Sequence, residues 1–321
     1  SGDRLFTVTD DARLVALHRA NGQVLWETRM ADFRAHYGAT SAPLVVGDLV
    51  VSGVSGGDEG ARGFVAAFDI RTGRETWRFW SVPARGEPGS ETWQGSAIEH
   101  PCAATWLTGS YDVALDQLLW TTGNPCPDYN GDERRGDNLW SNSVVALDPR
   151  TGQKRWHFQF TPHDLNDWDA VQTVIPAEIR WEGRQRRVLL QANRNGFFYV
   201  LDRETGAFLR ATPFVRNLNW ATGVGADGRP QRIIDMVPTV RGTTVCPSVE
   251  GATNWMSPSF DAARGLYFVQ ALERCSVFTK SSRGFEPGQS FYGGTTRRVP
   301  GETAGKVLRA LEVATGRIAW E

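Results

Sequence analysis

The sequence has no long hydrophobic run, no sustained helical periodicity and no excess of charge of either sign. Its formal net charge is −1, and basic and acidic residues are interspersed, so a basic surface for nucleic acid is not indicated. No apolar stretch is long enough to cross a bilayer as a helix. The 321 residues do include 34 glycines and 16 prolines, which supply turns, and 13 tryptophans. The composition therefore favours a globular, β-rich protein.

Cysteine is scarce and is not spaced for metal binding. The four cysteines are Cys102, Cys126, Cys246 and Cys275, and no two of them form a C-x-x-C pair. A zinc knuckle or a c-type haem site would need that spacing, so neither is encoded here. An even number of cysteines in a β-rich protein allows two disulfides and hence an oxidising compartment. Buried free thiols in a cytosolic protein are the alternative, and the count alone leaves it open.

A short motif recurs five times along the chain. The copies span residues 14–26, 65–77, 144–156, 198–210 and 307–320. In four copies an alanine stands six residues before a glycine, and a tryptophan follows that glycine by four: Ala16/Gly22/Trp26, Ala67/Gly73/Trp77, Ala146/Gly152/Trp156 and Ala310/Gly316/Trp320. The remaining copy keeps Gly206 but has Val200 and Arg210 in the outer positions. Self-similarity of this kind indicates a repeat architecture.

Each copy of the motif has the pattern of a β-hairpin. The apolar, β-branched run before the turn favours a buried strand. The Asp-x-x-Thr-Gly that follows favours a turn, and the stretch up to the tryptophan forms the returning strand. The small alanine leaves room for an indole. Repeated hairpins with a periodic glycine and aromatic residue are typical of β-propeller blades, although unrelated hairpins in a sandwich are an alternative.

The spacing of the motif indicates the number of blades. The motif glycines are separated by 51, 79, 54 and 110 residues. Intervals near fifty fit one four-stranded blade, 79 fits a blade with an insertion, and 110 fits two blades, so we expect about six blades. A propeller must close to protect its edge strands. We therefore expect residues 1–321 to form a single propeller domain, incomplete at both ends, within a longer ring.

Polar residues between the motif copies are candidates for a functional site. Asn124 ends a strand at Gly-Asn-Pro and can offer its carbonyl oxygen to a hard cation, although an asparagine that caps a turn would look the same. Asp164, Asp167 and Asp169 lie within six residues, and the last two point the same way if the backbone is extended. Two such carboxylates suit a hard cation. A solvated acidic loop is the alternative.

Other candidates are ambiguous when taken one at a time. Asp58 and Glu59 lie in a glycine-rich loop after a strand, where backbone can approach a ligand closely, but a plain turn would look similar. Arg194 ends another apolar strand and is either a surface cation or a permanently charged donor to a ligand oxygen. Trp106 and the Asn254–Trp255 pair are further candidates, which the packing of the blades would also explain.

Taken together, these segments resemble the PQQ-dependent quinoprotein alcohol dehydrogenases, the methanol and ethanol dehydrogenase family. The resemblance covers essentially the whole chain, and the matching segments occur in family order: SGGDEGARGFVAAFD, GSETW, TGNPCPDYNGDERRGDNLWSNSVVALD, TPHDLNDWDA, ANRNGFFYVLDRETG, NWATG and CPSVEGATNWMSPSF. The recurring motif resembles this family's tryptophan-docking motif. The resemblance implies an all-β fold, an eight-bladed β-propeller of the quinoprotein type.

The resemblance also implies a role for each candidate. Asp167 matches the family's catalytic aspartate, the general base that takes the hydroxyl proton from the alcohol. Trp106 matches the indole on which the flat quinone stacks, and Asn124 matches the metal-binding asparagine. The other matched cofactor contacts are Thr40, Ser55, Arg194, Asn254 and Trp255. Cys246 and Cys275 match a family disulfide, whereas Cys102 and Cys126 have no counterpart, so a second bridge stays open.

Several positions depart from the family pattern. The metal-ligating glutamate of the family falls on Asp58, one methylene shorter, so either Asp58 ligates at altered reach or Glu59 takes its place. Asn166 stands where an aromatic residue usually precedes the catalytic aspartate, which implies a reshaped substrate pocket. Asp169, two places after the base, accompanies lanthanide rather than calcium use in alcohol-oxidising relatives. Sugar-oxidising relatives can also carry an aspartate there, so the resemblance leaves the metal open.

The function implied by the resemblance is oxidation of primary alcohols to aldehydes. The implied cofactors are PQQ and a Ca²⁺ or lanthanide ion, with Asp58, Asn124, Asp167 and Asp169 as metal ligands. The implied electron acceptor is a cytochrome c, the implied compartment is the periplasm, and a homodimer is compatible with the sequence. A PQQ-dependent sugar dehydrogenase and a non-catalytic propeller scaffold of the same superfamily are the alternatives.

Overall fold

The structure of the protein is a computed structural model that describes residues 2–303 and 305–321. It consists almost entirely of antiparallel strands. Those of the first half are β1 (Arg4–Val8), β2 (Arg13–His18), β3 (Val24–Arg29), β4 (Leu44–Val46), β5 (Leu49–Gly53), β6 (Phe64–Asp69), β7 (Glu75–Trp80), β8 (Ser110–Asp112), β9 (Gln117–Thr121), β10 (Ser143–Leu147) and β11 (Lys154–Gln159).

The second half continues in the same way. Its strands are β12 (Ile175–Trp181), β13 (Arg184–Ala192), β14 (Phe197–Asp202), β15 (Phe208–Pro213), β16 (Ala221–Val224), β17 (Pro230–Arg232), β18 (Thr243–Val245), β19 (Ser259–Asp261), β20 (Leu266–Glu273), β21 (Ser276–Lys280), β22 (Gly294–Arg298), β23 (Gly305–Glu312) and β24 (Ile318–Trp320). Short 3₁₀ turns lie at Phe33–Ala35, Gly57–Glu59, Ser90–Thr92 and Ala97–Glu99. Within the described residues, no helix has the length and apolar character needed to span a membrane.

Five sheets contain the copies of the motif. Their strand orders are β1-β2-β3, β4-β5-β6-β7, β11-β10-β9-β8, β12-β13-β14-β15 and β19-β20-β23-β24. Apolar clusters join each sheet to the next, so that the buried faces stack in chain order. Two smaller sheets, β16-β17 and β18-β21-β22, occupy the chain between β15 and β23. This serial face-to-face packing of four-stranded sheets is the arrangement of propeller blades.

The motif holds neighbouring sheets together. In four copies the alanine lies directly opposite the tryptophan across the strand ladder. The tryptophan then lies on the motif glycine of the following sheet: Trp26 on Gly73, Trp77 on Gly152 and Trp156 on Gly206. These glycines have φ of 70–74°, and a Cβ on any of them would collide with the indole. The docking role predicted for the motif is confirmed in this geometry.

The fourth copy docks without a tryptophan. Arg210 takes its place, donates to the carbonyl oxygen of Ala314, and lies 4.3 Å over the ring of Trp181. Gly316 packs against Thr212, so the last two motif copies belong to neighbouring sheets. The interval of 110 residues therefore holds one blade with a long insertion rather than two blades. The predicted count of about six blades is not confirmed.

Candidate active site

One end of the stacked sheets contains a cavity of about 520 Å³. The resemblance assigned a catalytic, cofactor-binding or metal-binding role to ten residues. Nine of these ten line the cavity: Thr40, Ser55, Asp58, Trp106, Asn124, Asp167, Asp169, Arg194 and Trp255. Three of them stand in equivalent places, because Ser55, Asn124 and Arg194 each follow closely on the second strand of a sheet. The repeat therefore brings together side chains that are distant in sequence.

Asn254 is the exception, since it does not form part of the cavity wall. Its side-chain amide donates to the carbonyl oxygen of Glu250 at 2.7 Å, and its side-chain oxygen accepts from the backbone N–H of Trp255. Asn254 therefore shapes the turn that presents Trp255, whose side chain is exposed. The expected direct contact between Asn254 and the cofactor finds no support in this arrangement.

Trp106 forms the aromatic part of the wall, and its position is set by close backbone packing. The preceding residue, Thr105, donates its backbone N–H to the Val54 carbonyl. Its side-chain hydroxyl accepts from the Val54 N–H at 3.0 Å. Gly53 permits this approach, because a Cβ there would meet the backbone of Thr105. Thr40 donates its hydroxyl to the Trp106 carbonyl at 2.9 Å. These contacts fix the indole as one wall of the cavity.

Arg194 and Asp169 form a buried ion pair beside the cavity. Arg194 Nη1 lies 2.6 Å from Asp169 Oδ2, and the side chains are only 6 % and 9 % exposed. The other oxygen of Asp169 accepts from the backbone N–H of Asn124 at 2.8 Å. Arg194 Nη2 donates to the Val249 carbonyl at 2.6 Å and lies 3.8 Å from Asp167. Asp169 thus links the segment of Asn124 to the arginine.

The loop that carries Asp167 is organised from inside by Asp164. Asp164 is 1 % exposed and accepts from the backbone N–H groups of Asn166 and Trp168 and from the amide of Asn142. Asp167 itself has a φ of 59°, so the backbone is not extended there. Asp167 and Asp169 do share the cavity, but a buried turn puts them there rather than strand alternation. Asp164 is a structural residue that the sequence pattern did not distinguish from its neighbours.

The carboxylates of the site carry more negative charge than one arginine balances. Burial and the neighbouring carboxylates raise the pKa of Asp167 well above its ordinary value, although Arg194 opposes the shift. The pKa of Asp169 is raised mainly by burial, and that of Asp58 by partial burial and by Glu59. Burial alone would lower the pKa of Arg194, but Asp167 and Asp169 raise it. A bound cation would relieve this repulsion.

Asp128 is a further carboxylate near the site that sequence reasoning missed. It is 1 % exposed, and its Oδ2 has no hydrogen-bond partner among the described residues. Burial and the charges of Asp167 and Asp58 raise its pKa well above the ordinary value. Its only signal in the sequence is its place four residues after Asn124, in a segment where an exposed turn aspartate is equally plausible. The site therefore has a further, buried acid close to Asp58, Asp167 and Asp169.

Both pairs of cysteines form disulfides. The predicted pair Cys246–Cys275 is present, and Cys102 is bonded to Cys126. No free cysteine is found within the described part of the chain. The alternative of buried free thiols is therefore wrong for these residues.

The wall of the cavity suits a flat organic ligand together with a hard cation. An indole offers a stacking surface, and Asn124 and the carboxylates offer the oxygen ligands that hard cations prefer. In the described residues, no three His, Cys, Asp or Glu side chains are arranged to hold a metal ion on their own. Asn124, which is outside those residue types, water or the oxygen atoms of another ligand would supply further coordination. The residues fit a cation shared with an oxygen-rich cofactor.

Comparison with known proteins agrees with this chemistry. Residues 1–212 match the family model described as PQQ, glucose/ethanol/alcohol dehydrogenase, beta-propeller domain. Quinoprotein alcohol dehydrogenase PedH of Pseudomonas putida is 36% identical over 344 residues, which cover 99% of this chain and 58% of that protein. The lanthanide-dependent methanol dehydrogenase of Methylacidiphilum fumariolicum is 34% identical over 90% of this chain and 51% of its own length.

Solved structures give the same result for the fold. A europium-containing methanol dehydrogenase superposes with a TM-score of 0.93 at 31% identity, covering 100% of this chain and 60% of that chain. The quinohemoprotein alcohol dehydrogenase from Comamonas testosteroni also gives a TM-score of 0.93, at 30% identity, over 99% of this chain and 51% of that chain. The chain thus spans about half the length of the relatives that it matches.

Proposed function

Because the chain belongs to the β-propeller family of PQQ-dependent glucose, ethanol and alcohol dehydrogenases, we propose that it oxidises primary alcohols to aldehydes with PQQ and a bound metal ion. The observation that carries this proposal is the meeting of Trp106, Asn124, Asp167 and Arg194 in one cavity. Fold alone would not decide the function. A scaffold that only binds partners would have no reason to bring these four side chains together around one cavity.

Different residues of the cavity wall would bind PQQ and the metal ion. Trp106 would stack on the flat quinone, with Thr40, Ser55 and Arg194 placed along the same wall for its oxygen atoms. We propose Asp58, Asn124, Asp167 and Asp169 as the residues that hold the cation. Glu59 also lines the cavity, so the choice between Asp58 and Glu59 stays a matter for experiment.

The chemistry follows from what these side chains do. When bound, PQQ would supply the hydride acceptor and the metal ion would supply Lewis-acid activation of it. Asp167 takes the hydroxyl proton of the alcohol, and the bound cation would keep its carboxyl group ionised for this role by opposing the burial that raises its pKa. Arg194, held by Asp169, presents a fixed positive charge where negative charge develops on an oxygen.

The metal is proposed to be a lanthanide or Ca²⁺. The number of buried carboxylates favours a trivalent ion, because each additional negative charge stabilises a higher charge more strongly. Both oxygens of Asp169 already accept hydrogen bonds, one from Asn124 N–H and one from Arg194. Direct ligation by Asp169 would therefore use a remaining lone pair or displace Arg194.

Electron transfer and location complete the proposal. We propose that electrons pass to a cytochrome c and that the protein works in the periplasm. The two disulfides support an oxidising compartment.

Reconstitution tests the proposed function. Metal-free, full-length protein is loaded with PQQ and either Ca²⁺ or La³⁺, and primary alcohols and glucose are assayed with an artificial dye as electron acceptor. Dye reduction by alcohols is expected, and Asp167→Asn is the matched variant that should abolish it. Preferential oxidation of glucose would favour the sugar dehydrogenase. No dye reduction with any combination would favour the scaffold.

A further inference from the structure

The Cys102–Cys126 bridge lies directly beneath the candidate metal site. Cys126 is two residues beyond Asn124, and Cys102 begins the segment that leads to Trp106. The two segments run antiparallel, with Ala103 N–H donating to the Asn124 carbonyl at 2.9 Å and Gly123 N–H donating to the Ala104 carbonyl at 2.7 Å. The disulfide closes the end of this short ladder, and both sulfurs are fully buried.

The turn that carries Asp58 rests on this bridge. The sulfur of Cys126 is 3.2 Å from the carbonyl oxygen of Gly57, the residue before Asp58. A Cβ added at Gly57 would lie 3.1 Å from Ala104 Cβ and 3.9 Å from Cys102 Cβ, so this turn has little free space beneath it. The Cys102 carbonyl also accepts from Gly63 N–H at 2.8 Å, at the other end of the same loop.

Two phenylalanines close the other side of the bridge. Phe291 and Phe285 pack with the two cysteines in a small apolar cluster. Phe291 also donates its backbone N–H to the Asp58 carbonyl at 2.6 Å. The Asp58 turn is thus held between the disulfide below it and the backbone of residue 291. The bridge ties the Cys102 segment covalently to the Asn124 segment. The Asp58 turn is placed on that pair of segments by its contact with the Cys126 sulfur and by the hydrogen bond from Phe291.

We propose that the Cys102–Cys126 bridge is a positioning element that sets the metal affinity of the site by fixing the Asp58 turn against the Asn124 segment. The inference rests on the proposed function. Residues that orient metal ligands without touching the ion typically change affinity by about 10- to 100-fold when they are removed. A bridge that served only general stability would lower the melting temperature without a selective loss of metal affinity.

The second disulfide supplies the matched control. Cys246–Cys275 closes a loop of similar length, with a separation of 29 residues against 24. Its backbone N–H groups are bonded to the side chains of Asn219 and Glu302 rather than to the segments of Asp58 or Asn124. Both bridges should contribute comparably to stability through chain entropy.

The test compares the two double variants in the full-length protein. Cys102→Ala/Cys126→Ala and Cys246→Ala/Cys275→Ala are titrated with La³⁺ and with Ca²⁺ by calorimetry in the presence of PQQ, and thermal unfolding is recorded for each. Gly57→Ala is the third variant, because it keeps the disulfide and pushes the turn away from Ala104, which lies on the bridged segment beside Cys102. We expect the Kd for the metal ion to rise about 10- to 100-fold in Cys102→Ala/Cys126→Ala and in Gly57→Ala. The Kd of Cys246→Ala/Cys275→Ala should stay close to that of the unmodified protein.

Two results would overturn the inference. One is metal binding by Cys102→Ala/Cys126→Ala and by Gly57→Ala that is as tight as in the unmodified protein. The other is an equal loss of affinity in the two disulfide variants, which would mean that a bridge acts only through general stability. If the unmodified protein binds neither ion, the proposed function itself fails, and the inference fails with it.

Discussion

Replacement of Asp169 probes the buried ion pair beside the cavity. Asp169→Ala removes the partner that lies 2.6 Å from Arg194 Nη1, in a place where the two side chains are 6 % and 9 % exposed. Removing one member of a buried pair typically costs about 3–5 kcal/mol, because the other charge is left buried. In this variant Arg194 can still donate to the Val249 carbonyl, which lies 2.6 Å from Nη2, and Asp167 lies 3.8 Å from the same nitrogen. We therefore expect a loss somewhat below that range, about 2–3 kcal/mol.

Asp169→Asn removes the charge but keeps the size of the side chain. The amide oxygen can still accept from Asn124 N–H or from Arg194, whereas the amide NH2 group faces the other donor, so the charge and one of the two hydrogen bonds are lost. The hydrogen bond that remains should keep the loss to about 1–2 kcal/mol, below that of Asp169→Ala. The assay is thermal unfolding of metal-free protein, where about 2–4 °C corresponds to 1 kcal/mol in proteins of somewhat smaller size.

The surface pair of Asp261 with Arg264 is the control for this experiment. Its atoms are 2.7 Å apart, but Arg264 is 74 % exposed. Asp261→Ala should be less destabilising than Asp169→Ala, because exposed pairs contribute little. If Asp169→Ala proves no more destabilising than Asp169→Asn or than the control, Asp169 is not needed to balance the charge of Arg194. The buried ion pair described for this wall would then not contribute to stability.

Three further predictions concern the base, the motif and a histidine. Asp167→Asn should lower kcat by about 10²–10⁴-fold while leaving the absorbance change on PQQ binding intact; unchanged turnover would exclude Asp167 as the base. In Gly73→Ala the new Cβ would lie 2.5 Å from Trp26. The free energy of unfolding, measured with denaturant, should fall by about 2–4 kcal/mol, against about 1 kcal/mol for Gly47→Ala, which has open space around it. Equal losses in the two variants would mean that the indole contact is unimportant. Burial and two nearby arginines lower the pKa of His163 to about 4, so its contribution to stability is complete above its ordinary pKa near 6.5 and is lost as the pH falls from there towards 4. Melting temperatures at pH 7.5 and 4.5 should differ less in His163→Gln than in the unmodified protein, and an unchanged difference would contradict this assignment.

The sequence was sufficient to predict the blades because their determinants are local. The alanine, glycine and tryptophan of one copy lie within a single hairpin, and Ala67 does lie opposite Trp77 as the offset suggested. The 110-residue interval was interpreted wrongly because an insertion and an additional blade have the same length. Contacts in the folded chain, such as that between Gly316 and Thr212, reveal that the two sheets are neighbours.

The site could be predicted where family resemblance supplied roles that residue chemistry left open. Nine of the ten candidates line one cavity, but the roles of Asp164 and Asp128 were not foreseen. An aspartate that caps a buried turn and one that faces a ligand have the same letter and the same surroundings in sequence. Burial distinguishes them, and burial is decided by segments that are distant along the chain.

The distribution of the site over several sheets has a thermodynamic consequence. Asp58, Asn124 and Arg194 belong to three consecutive sheets, so the cavity exists only when those sheets are docked on one another. Any ligand that needs all three residues binds the docked state alone and stabilises it by RT ln(1 + [L]/Kd), about 2.7 kcal/mol at a hundredfold excess over Kd. Ligand binding in the cavity and docking of the sheets on one another are therefore linked equilibria. A bound cofactor would stabilise the docked sheets as a buried core side chain does.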